Sequence, residues 1–564
     1  MNFVTPSGFR DVMPDEALQR EQITERVRGC LAARGYTPIE TPTLESVEVM
    51  EAAANLPGTP FRFFDANGDL LALRPDVTMQ VARMCATRLR GQQGPFRFRY
   101  TQRVFRESVA AAASRELTQV GIENIGEEGP AVDAQIVGLF AESLQLAGLE
   151  NFTIALGTVS VLRALLEACP ASGAWKNQVL AAYHASNFVE LDQLVGQDGV
   201  PVEYARAIAR LPRVRGGREA IRMARDLAQP LGCDIGLDTL EQVLDQLETL
   251  GLEQTLLVDF SIMSSFDYYT GIVFEAYAPG LGEPLGSGGR YDSMLAAYDG
   301  TPRPAAGFAF YLEQVMAALA EQGVKEDACG DAGKAFEWSA PQEREQEAAV
   351  RNRPLRIAVP KGSLNAGTIE VLQRAGLDTA GLEDPGRQLI IHNPGVDYII
   401  VRPTDAPVFV ALGAADCGIC GKDSLMEANL DVVELVDLHF GGCRFVVAEP
   451  EGTTPKVEER YRKLGSIRIA TKYPRITRAY YERQGMQVDI VQLHGNIELA
   501  PLIGMAERIV DITATGATLK QNNLCIVDDV ISSTARFFAN GCAFRMDSRV
   551  IALAAALHEH IEGK

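Results

Sequence analysis

The sequence has few basic residues for its acidic content, and it has no long apolar run. Its 53 Lys and Arg residues face 74 Asp and Glu residues, which gives a formal net charge of −21. Binding to nucleic acids or anionic membranes requires an excess of Lys and Arg, so the charge balance argues against both as general partners and leaves room only for a local basic cleft. No run of 18 apolar residues occurs and the first residues lack an apolar signal segment, so we expect a cytoplasmic protein.

Cysteine and histidine are also scarce, with 10 and 6 residues respectively among 564. The cysteines are dispersed, which excludes the dense disulfide framework of small secreted domains. Cys417 and Cys420 form a CxxC pair, but no second Cys or His pair has the spacing of a zinc site. We interpret this pair as packing in a buried strand, and the sequence identifies no metal ligands.

The remaining composition is that of a globular protein, with 47% hydrophobic and 23% charged residues and a mean hydropathy near zero. A chain of 564 residues is too long for one hydrophobic core. The sharpest change in composition lies at 322–354, which is polar, rich in Ala and Glu and without apolar periodicity. We therefore predict a first module at 1–321, a linker at 322–354 and a second module at 355–564.

The first module shows a mixture of helical and strand patterns. Residues 14–34 form an amphipathic helical pattern that ends before Gly35, and the apolar face carries Ile23, Val27, Cys30 and Leu31. Strand-like runs follow (FRFRYTQRVF, VGIENIG and YTGIVFEAYA), together with helical segments at 132–147 and near 308–320 and a turn-rich GSGGRYD. This mixture predicts an α+β module with an antiparallel sheet.

The second module alternates short apolar strands with segments of helix length. The strand-like runs are LRIAV, DYIIV, CRFVVA, IRIAT, VDIVQL and RIVDI. Strict alternation of this kind predicts parallel sheets, whose ligands bind at the carboxyl ends of the strands. We therefore expect the functional site in the loops that follow these strands.

One such loop carries a chemical signal in RIVDITATGATLKQN, residues 508–522. An apolar strand ends near Asp511 and a Thr- and Gly-rich turn follows at 513–519. Such a turn can direct backbone N–H groups and hydroxyls at one phosphate, while the carboxylate accepts hydrogen bonds from ribose hydroxyls. A plain strand-to-helix turn capped by Thr is the alternative interpretation of the same residues.

The surrounding motifs extend this signal over essentially all of residues 354–564. In order, they are LRIAVPKGSL, RPTDAPVFVALGAADCGICGKD, ATKYP, GNIELAPLIGMAERIVD and TATGATL. As an ordered set they resemble the short form of ATP phosphoribosyltransferase, a glycosyltransferase of histidine biosynthesis. The resemblance implies a two-lobed α/β module similar to periplasmic binding proteins.

The resemblance also assigns substrates and residues. It implies attack by adenine N1 of ATP on the anomeric carbon of phosphoribosyl pyrophosphate, with inversion and loss of pyrophosphate, and with Mg²⁺ carried by the pyrophosphate. The residues implied for phosphoribosyl pyrophosphate are Glu498, Asp511, Thr515, Gly516, Ala517 and Thr518. Our candidates for phosphate and ATP contacts, each of which could instead be a solvated surface charge, are Lys361, Arg402, Lys422 and Lys472.

The first module resembles histidyl-tRNA synthetase, and more closely its paralogue, the regulatory subunit of short-form ATP phosphoribosyltransferase. The motifs are PSGFRDVMPDEA, LRPDVT, RYTQRVFRE, TQVGIENIG, DYYTGIVFEAY and GSGGRYD. The resemblance implies a class II synthetase-like fold with a histidine site. The residues implied for that site are Asp76, Thr78, Arg106, Gln119, Glu123, Tyr268 and Tyr269, with Tyr291 as a further candidate.

Two departures from the synthetase pattern remove positive charges needed for adenylation. Ser264 and Gln314 stand where the synthetase has arginines that bind the reacting carboxylate and the ATP phosphates. We therefore expect no aminoacylation, and instead a histidine sensor that inhibits the fused transferase allosterically, in a homo-oligomer. Two alternatives are an active synthetase fused to a transferase and a non-catalytic small-molecule sensor; the intact Glu498, Asp511 and TGAT motif disfavour the second.

Overall fold

The computed structural model describes residues 5–53, 60–92, 94–107, 114–197, 199–233, 235–262, 268–323, 353–513 and 516–562. The chain divides into two compact units. The first unit comprises Met1–Arg353 together with Gly541–Asp547, and the second comprises Pro354–Asn540 and Ser548–Lys564. Most of the segment that we predict as a linker, 322–354, lies outside the described residues.

Within its described residues, the first unit is built on a nine-stranded, largely antiparallel sheet. In sheet order its strands are β1 (Thr37–Pro38), β5 (Phe96–Phe105), β6 (Glu116–Ile125), β12 (Ala305–Tyr311), β11 (Gly286–Arg290), β10 (Ile272–Tyr277), β7 (Thr153–Thr158), β9 (Leu256–Asp259) and β8 (Arg215–Gly216). A smaller sheet contains β2 (Leu44–Ser46), β4 (Leu70–Leu73) and β3 (Arg62–Phe64). This architecture confirms the α+β expectation.

Helices accompany the sheets of the first unit. They are α1 (Pro14–Ala33), α2 (Val47–Ala53), α3 (Thr78–Thr87), α4 (Pro130–Leu146), α5 (Ser160–Ala168), α6 (Gly173–His184), α7 (Phe188–Val195), α8 (Val202–Arg210), α9 (Arg218–Ala228), α10 (Leu237–Thr249), α11 (Ala296–Asp299) and α12 (Leu312–Glu321). Helix α1 buries Ile23, Val27 and Leu31 and is followed by Gly35 at φ +84°. The predicted first helix is therefore confirmed, with its apolar face in the core.

Two predictions in the first module are wrong. The first five residues of the turn-rich GSGGRYD segment form strand β11, and the residues at 308–311, predicted as helical, belong to β12. Glycines in β11 allow neighbouring groups to approach closely: a Cβ at Gly288 would lie 2.4 Å from Cζ of Phe274. The glycines therefore serve close packing across a sheet and not chain reversal.

The second unit contains two sheets in its described residues. The six-stranded sheet has, in order, β14 (Ile390–Asn393), β15 (Val396–Val401), β13 (Leu355–Pro360), β16 (Cys417–Gly421), β23 (Ala535–Ala539) and β17 (Val433–Asp437). The five-stranded sheet has β20 (Val488–Gln492), β19 (Ile467–Thr471), β21 (Arg508–Thr513), β18 (Cys443–Pro450) and β22 (Leu524–Ser533). Every predicted strand of this module is confirmed.

The chain passes between these two sheets twice, from β17 to β18 and from β22 to β23.

The helices described in the second unit are α13 (Asn365–Arg374), α14 (Ala406–Ala411), α15 (Lys422–Ala428), α16 (Thr454–Leu464), α17 (Pro474–Arg483), α18 (Leu499–Leu502), α19 (Ala517–Gln521) and α21 (Ser548–Glu562). Helix α20 (Gly541–Met546) lies in the segment that is grouped with the first unit.

The prediction of purely parallel sheets is wrong, because each sheet is mixed. Strand β13 runs parallel to β15 and β16, and β19 runs parallel to β20 and β21. Strands β14, β23, β18 and β22 pair antiparallel with their neighbours. A hairpin adds β14, and the long return of the chain adds β22 and β23, which the simple alternation rule does not include.

Cys417 and Cys420 both lie in β16 and are buried. This confirms our interpretation of the CxxC pair as part of a buried strand. In the part of the chain that the structure describes, no helix combines the length and apolarity needed to cross a bilayer.

Candidate functional site

Three cations follow three neighbouring parallel strands of the six-stranded sheet. Lys361 follows β13, Arg402 follows β15 and Lys422 follows β16. Pro360 pairs with Val401 in register, and the backbone N–H of Lys361 donates to the carbonyl of Val401 over 2.8 Å, so Lys361 and Arg402 lie side by side at the strand ends. Both side chains are exposed and can reach an anion above this edge.

Lys422 is engaged differently from the other two cations. Its Nζ lies 2.5 Å from Oε2 of the buried Glu434, whose Oε1 accepts a hydrogen bond from Nε of Arg536 over 2.8 Å. Lys422 therefore belongs to a buried ion-pair cluster in this structure. Its predicted contact with phosphate stays a prediction and would require Lys422 to share its charge with Glu434.

The five-stranded sheet brings a second set of charged side chains together. Lys472 follows β19, Glu498 follows β20 and Asp511 lies in β21, at the same edge of three parallel strands. Burial raises the pKa of Asp511 to about 6, with a further increase from the nearby Glu498, while the N–H of Ile512 and the charge of Lys472 act in the opposite direction. The two carboxylates and the lysine are thus close enough to influence one another.

The described residues of the loop after β21 are those at its two ends. Thr513 Oγ1 accepts a hydrogen bond from the N–H of Gly516 over 2.7 Å, and Gly516 has φ +73°, a conformation that favours glycine. Ala517 begins α19, and Thr518 in the same helix is exposed. Thr515 lies outside the described residues, so its role stays a prediction, as do the roles of Gly516, Ala517 and Thr518.

Sequence reasoning did not identify Tyr473 or Asp423 in this region. Burial raises the pKa of the Tyr473 hydroxyl, and the nearby carboxylates of Asp423 and Asp511 add to the increase. Asp423 lies at the start of α15 and accepts a hydrogen bond from Ser533 Oγ over 2.7 Å. Asp423 follows β16 of the six-stranded sheet, and Asp511 lies in β21 of the five-stranded sheet. Tyr473 therefore marks where the two sheets of this unit approach each other.

A pocket in the first unit contains nearly all of the predicted histidine-site residues. Its lining comprises Asp76, Thr78, Gln119, Glu123, Tyr268, Tyr269, Ser287, Tyr291, Gly307, Phe308, Ala309 and Tyr311. Asp76 and Thr78 come from the start of α3, Gln119 and Glu123 from β6, and the tyrosine pair from the approach to β10. The fold therefore brings together residues as distant in the sequence as Asp76 and Tyr311.

Glu123 lies at the base of this pocket and is fully buried. Its carboxylate accepts hydrogen bonds from Thr78 Oγ1 over 2.6 Å, from Tyr100 OH over 3.1 Å and from Tyr291 OH. Burial raises the pKa of Glu123 to about 8, although the hydrogen bonds from the hydroxyls lower it. The negative charge of Asp76 makes a further contribution to the increase. An ionised Glu123 would therefore be stabilised by a cationic or N–H-donating ligand.

Asp76 lines the pocket, whereas Arg106, the remaining predicted residue, is not in the lining and reaches it through a hydrogen bond to Tyr311. Asp76 accepts hydrogen bonds from the Thr78 N–H over 2.7 Å and from Gln119 Nε2 over 3.1 Å. Nε of Arg106 donates to the carbonyl of Pro75 over 3.0 Å, and its Nη2 donates to the hydroxyl of Tyr311 over 2.6 Å. The sequence did not point to Tyr311, because an aromatic residue at the end of a strand is typical of core packing.

Of the two departures from the synthetase pattern, Gln314 lies among the described residues. Its amide donates to Glu283 over 2.6 Å and supplies no positive charge. Ser264 lies outside the described residues. Within the described part of the chain, no cluster of three or more His, Cys, Asp or Glu residues has an arrangement that could hold a metal ion.

Comparisons with known proteins agree with this division into two units. The histidyl-tRNA synthetase family matches residues 8–315, and the ATP phosphoribosyltransferase family matches residues 402–563. The ATP phosphoribosyltransferase regulatory subunit of Moorella thermoacetica is 39% identical over 56% of this chain and 82% of its own length. The ATP phosphoribosyltransferase of the same organism is 50% identical over 35% of this chain and 87% of its own length.

Further relatives match the same two parts of the chain. The ATP phosphoribosyltransferase of Rubrobacter xylanophilus is 47% identical over 34% of this chain and 90% of its own length. A crystal structure of an ATP phosphoribosyltransferase regulatory subunit/histidyl-tRNA synthetase from Bacillus halodurans superimposes with a TM-score of 0.52 at 27% identity, covering 71% of this chain and 98% of that one. The chain therefore belongs to the ATP phosphoribosyltransferase family and is a fusion of a regulatory-subunit-like module, with a class II synthetase-like fold, to a catalytic module for the first step of histidine biosynthesis.

Proposed function

We propose that the second unit joins ATP to phosphoribosyl pyrophosphate at the strand ends of its two sheets. The observation that carries this assignment is the group formed by Lys472, Glu498 and Asp511 beside the Thr- and Gly-rich loop after β21. Glu498 and Asp511 accept hydrogen bonds from the ribose hydroxyls, and the loop at 513–518 holds the 5-phosphate. The two sheets then correspond to the lobes of a module similar to periplasmic binding proteins, with ATP between them.

In this arrangement the chain contributes alignment and charge. The lone pair of adenine N1 forms a bond to the anomeric carbon while the bond from that carbon to pyrophosphate breaks, so the enzyme holds the two reactants in line. Lys361 and Arg402 neutralise phosphate charge from the six-stranded sheet, and Lys472 does so from the five-stranded sheet. Lys422 contributes only if it separates from Glu434.

The carboxylates also suit Mg²⁺ that enters with the substrate. Glu498 and Asp511 repel one another, since Glu498 contributes to the raised pKa of Asp511, and a cation beside them would relieve that repulsion. Mg²⁺ commonly binds one or two carboxylates and completes its shell with water and phosphate oxygens. When bound, Mg²⁺ would neutralise the departing pyrophosphate.

We propose free histidine as the ligand of the pocket in the first unit. Glu123 faces the imidazole. A positive charge or an N–H donor on this ring would offset the free-energy cost of an ionised carboxylate that is buried in the protein. Asp76, Thr78 and Gln119 receive the ammonium group, Arg106 receives the carboxylate, and Tyr268 and Tyr269 enclose the ring. A neutral Gln314 bonded to Glu283 favours a sensor over an active synthetase. We also expect self-association and a cytoplasmic location.

Replacement of Asp511 by Asn tests the proposed active site. The amide keeps the shape but loses the negative charge and one of the two oxygens that accept hydrogen bonds from ribose hydroxyls, so kcat/KM for phosphoribosyl pyrophosphate should fall about 10- to 100-fold. The assay follows phosphoribosyl-ATP formation from ATP and phosphoribosyl pyrophosphate with Mg²⁺. Asp431→Asn, at an exposed position of the same unit, should retain wild-type turnover. Equal turnover in both variants would remove Asp511 from the site.

A further inference from the structure

The pocket of the first unit is closed in this structure. The space in it that a water molecule can occupy is about 20 Å³, which is enough for one water molecule but not for an amino acid. Three of its tyrosines are almost fully buried: Tyr268 is 6% exposed, Tyr269 is 5% exposed and Tyr291 is 2% exposed. Entry of a ligand therefore requires a wall of the pocket to move, and that wall must face solvent.

Tyr311 forms the solvent-facing wall. Among the described lining residues, Ser287, Ala309 and Tyr311 keep partial exposure, and Tyr311 is the largest of the three. Ser287 and Ala309 are cross-strand partners in β11 and β12 and have small side chains. Rotation of the Tyr311 ring is thus the smallest movement that opens the pocket without breaking the sheet.

The hydroxyl of Tyr311 already occupies a position suited to a ligand oxygen. It accepts a hydrogen bond from Arg106 Nη2 over 2.6 Å, and Gln119 Nε2 approaches the same oxygen at 3.5 Å. The Tyr311 ring also lies 5.1 Å from the guanidinium carbon of Arg106, within the range of a cation–π contact. A donor from β6 and a donor from the residue that follows β5 therefore converge on one phenolic oxygen.

We propose that Tyr311 is the gate of this pocket, and that the carboxylate of an incoming α-amino acid displaces its hydroxyl from Arg106. This inference rests on the proposed histidine site and adds a residue that controls entry and affinity. In the closed state the Tyr311 hydroxyl accepts from the Arg106 guanidinium, so it competes with the carboxylate of the ligand for this donor. Part of the binding free energy is consequently used to open the pocket, which lowers the apparent affinity.

The backbone beneath the gate is fixed, so the side chain can move alone. Tyr311 pairs with Gln119 in the sheet, and its N–H donates to the carbonyl of Leu285 over 2.9 Å. Two residues later, Glu313 accepts hydrogen bonds from the Thr118 N–H over 2.8 Å and from Arg20 over 2.9 Å. These contacts anchor the start of α12 and leave the rotation of the Tyr311 side chain as the free movement.

Tyr311→Phe tests the gate, because it keeps the ring and removes the competing oxygen. Titration calorimetry on the full chain should show histidine binding about three- to tenfold more tightly than to the wild type, as expected for the loss of one competing hydrogen bond. Histidinol, which has no carboxylate, should bind both proteins equally. Tyr298→Phe is a matched control: this partly buried tyrosine donates to the Met79 carbonyl at 3.4 Å and does not line the pocket. It should alter neither affinity.

Any other result for Tyr311→Phe would contradict the proposed gate. Weaker histidine binding by Tyr311→Phe would show that the hydroxyl belongs to the liganded site, and unchanged binding would show that it does not compete. An equal gain for histidine and histidinol would indicate a change in packing. In all of these cases the wild type binds histidine, so the proposed site survives. If neither protein binds histidine while both keep the wild-type thermal unfolding midpoint, the proposed histidine site fails together with the gate.

Discussion

Asp511 illustrates how the setting of one side chain determines its chemistry. The residue is partly buried in β21, and burial raises its pKa to about 6, while Glu498 adds to the increase. An ionised carboxylate accepts hydrogen bonds from ribose hydroxyls through both oxygens and more strongly than a protonated carboxyl group does. Because its pKa is raised, Asp511 is protonated in mildly acidic solution, at a pH well above the usual pKa range of an aspartate. The interaction with the ribose hydroxyls should weaken at that pH.

We predict an acidic limb in the pH profile of the transferase with a midpoint near 6. As pH falls through this value, Asp511 takes up a proton and kcat/KM for phosphoribosyl pyrophosphate decreases. Glu498→Gln removes the repulsion that raises the pKa of Asp511, so the limb should move to lower pH by less than about one pH unit. Initial rates from pH 5 to 8 measure both profiles.

The Asp511→Asn variant is the control for this profile, because its side chain does not ionise. Its residual activity reveals any titration of the substrate phosphates themselves. An identical acidic limb in the wild type and in Asp511→Asn would assign the limb to the substrate and contradict the role of Asp511.

At the level of individual side chains, the sequence was informative where family motifs are present. The motifs identified the residues that surround the pocket of the first unit, and the structure places Asp76, Thr78, Gln119, Glu123, Tyr268 and Tyr269 in its lining. Tyr311 and the pairing of Lys422 with Glu434 could not be predicted. Both depend on contacts between residues that are distant in sequence, and their residue types are ordinary for a strand end and for a surface helix.

Strand β11 shows why element types are hard to predict from glycine-rich segments. Its glycines resemble a turn, yet a Cβ at Gly288 would lie 2.4 Å from Phe274 and 2.5 Å from the carbonyl oxygen of Gly307. The requirement for glycine comes from the neighbouring strands, which the local sequence does not reveal. Strands with regular apolar character were instead predicted correctly, because their pattern is local. The antiparallel strands β18, β22 and β23 make the sheets mixed, since pairing partners are set by the path of the chain.

Gly288→Ala should therefore destabilise the first unit. The added methyl group must displace the Phe274 ring or the backbone of β12, at a cost of about 1–3 kcal/mol in the free energy of unfolding. Urea unfolding followed by circular dichroism measures this difference as a lower midpoint. Gly173→Ala is the matched control: it lies at the start of α6, with no heavy atom within 4 Å of its added Cβ. It should leave stability unchanged or slightly increased.

For the molecule as a whole, the fusion joins a ligand pocket and a transferase in one polypeptide. Histidine can change turnover only if it binds two states of the protein with different affinities. The pocket residue with the largest expected effect is Glu123, since it is the buried carboxyl group that faces the proposed imidazole. Glu123 is far in sequence from the strand ends proposed to bind ATP, so its replacement separates regulation from catalysis.

We predict that Glu123→Ala spares turnover without histidine and raises the histidine concentration needed for half inhibition at least about tenfold, because a buried charged partner is lost. The measurement is phosphoribosyl-ATP formation during a histidine titration. Glu123→Gln, which keeps the hydroxyl contacts of Thr78 and Tyr100, guards against loss of folding and should also weaken inhibition. Glu128→Ala, at an exposed position nearby, should be inhibited like the wild type. Half inhibition of both Glu123 variants at the wild-type histidine concentration would contradict the assignment.

The two chain crossings in the second unit have a mechanical consequence. They lie next to each other: Thr534 Oγ1 donates to Asp437 over 2.8 Å, and Arg536 bonds to both residues. Two adjacent crossings are a suitable place for a hinge, and we predict that one sheet rotates against the other while the ladder of each stays intact. Such a rotation would change the distance from the proposed phosphate-binding Lys361 and Arg402 to Lys472 and Asp511, so we expect bound substrates to favour one arrangement of the two sheets.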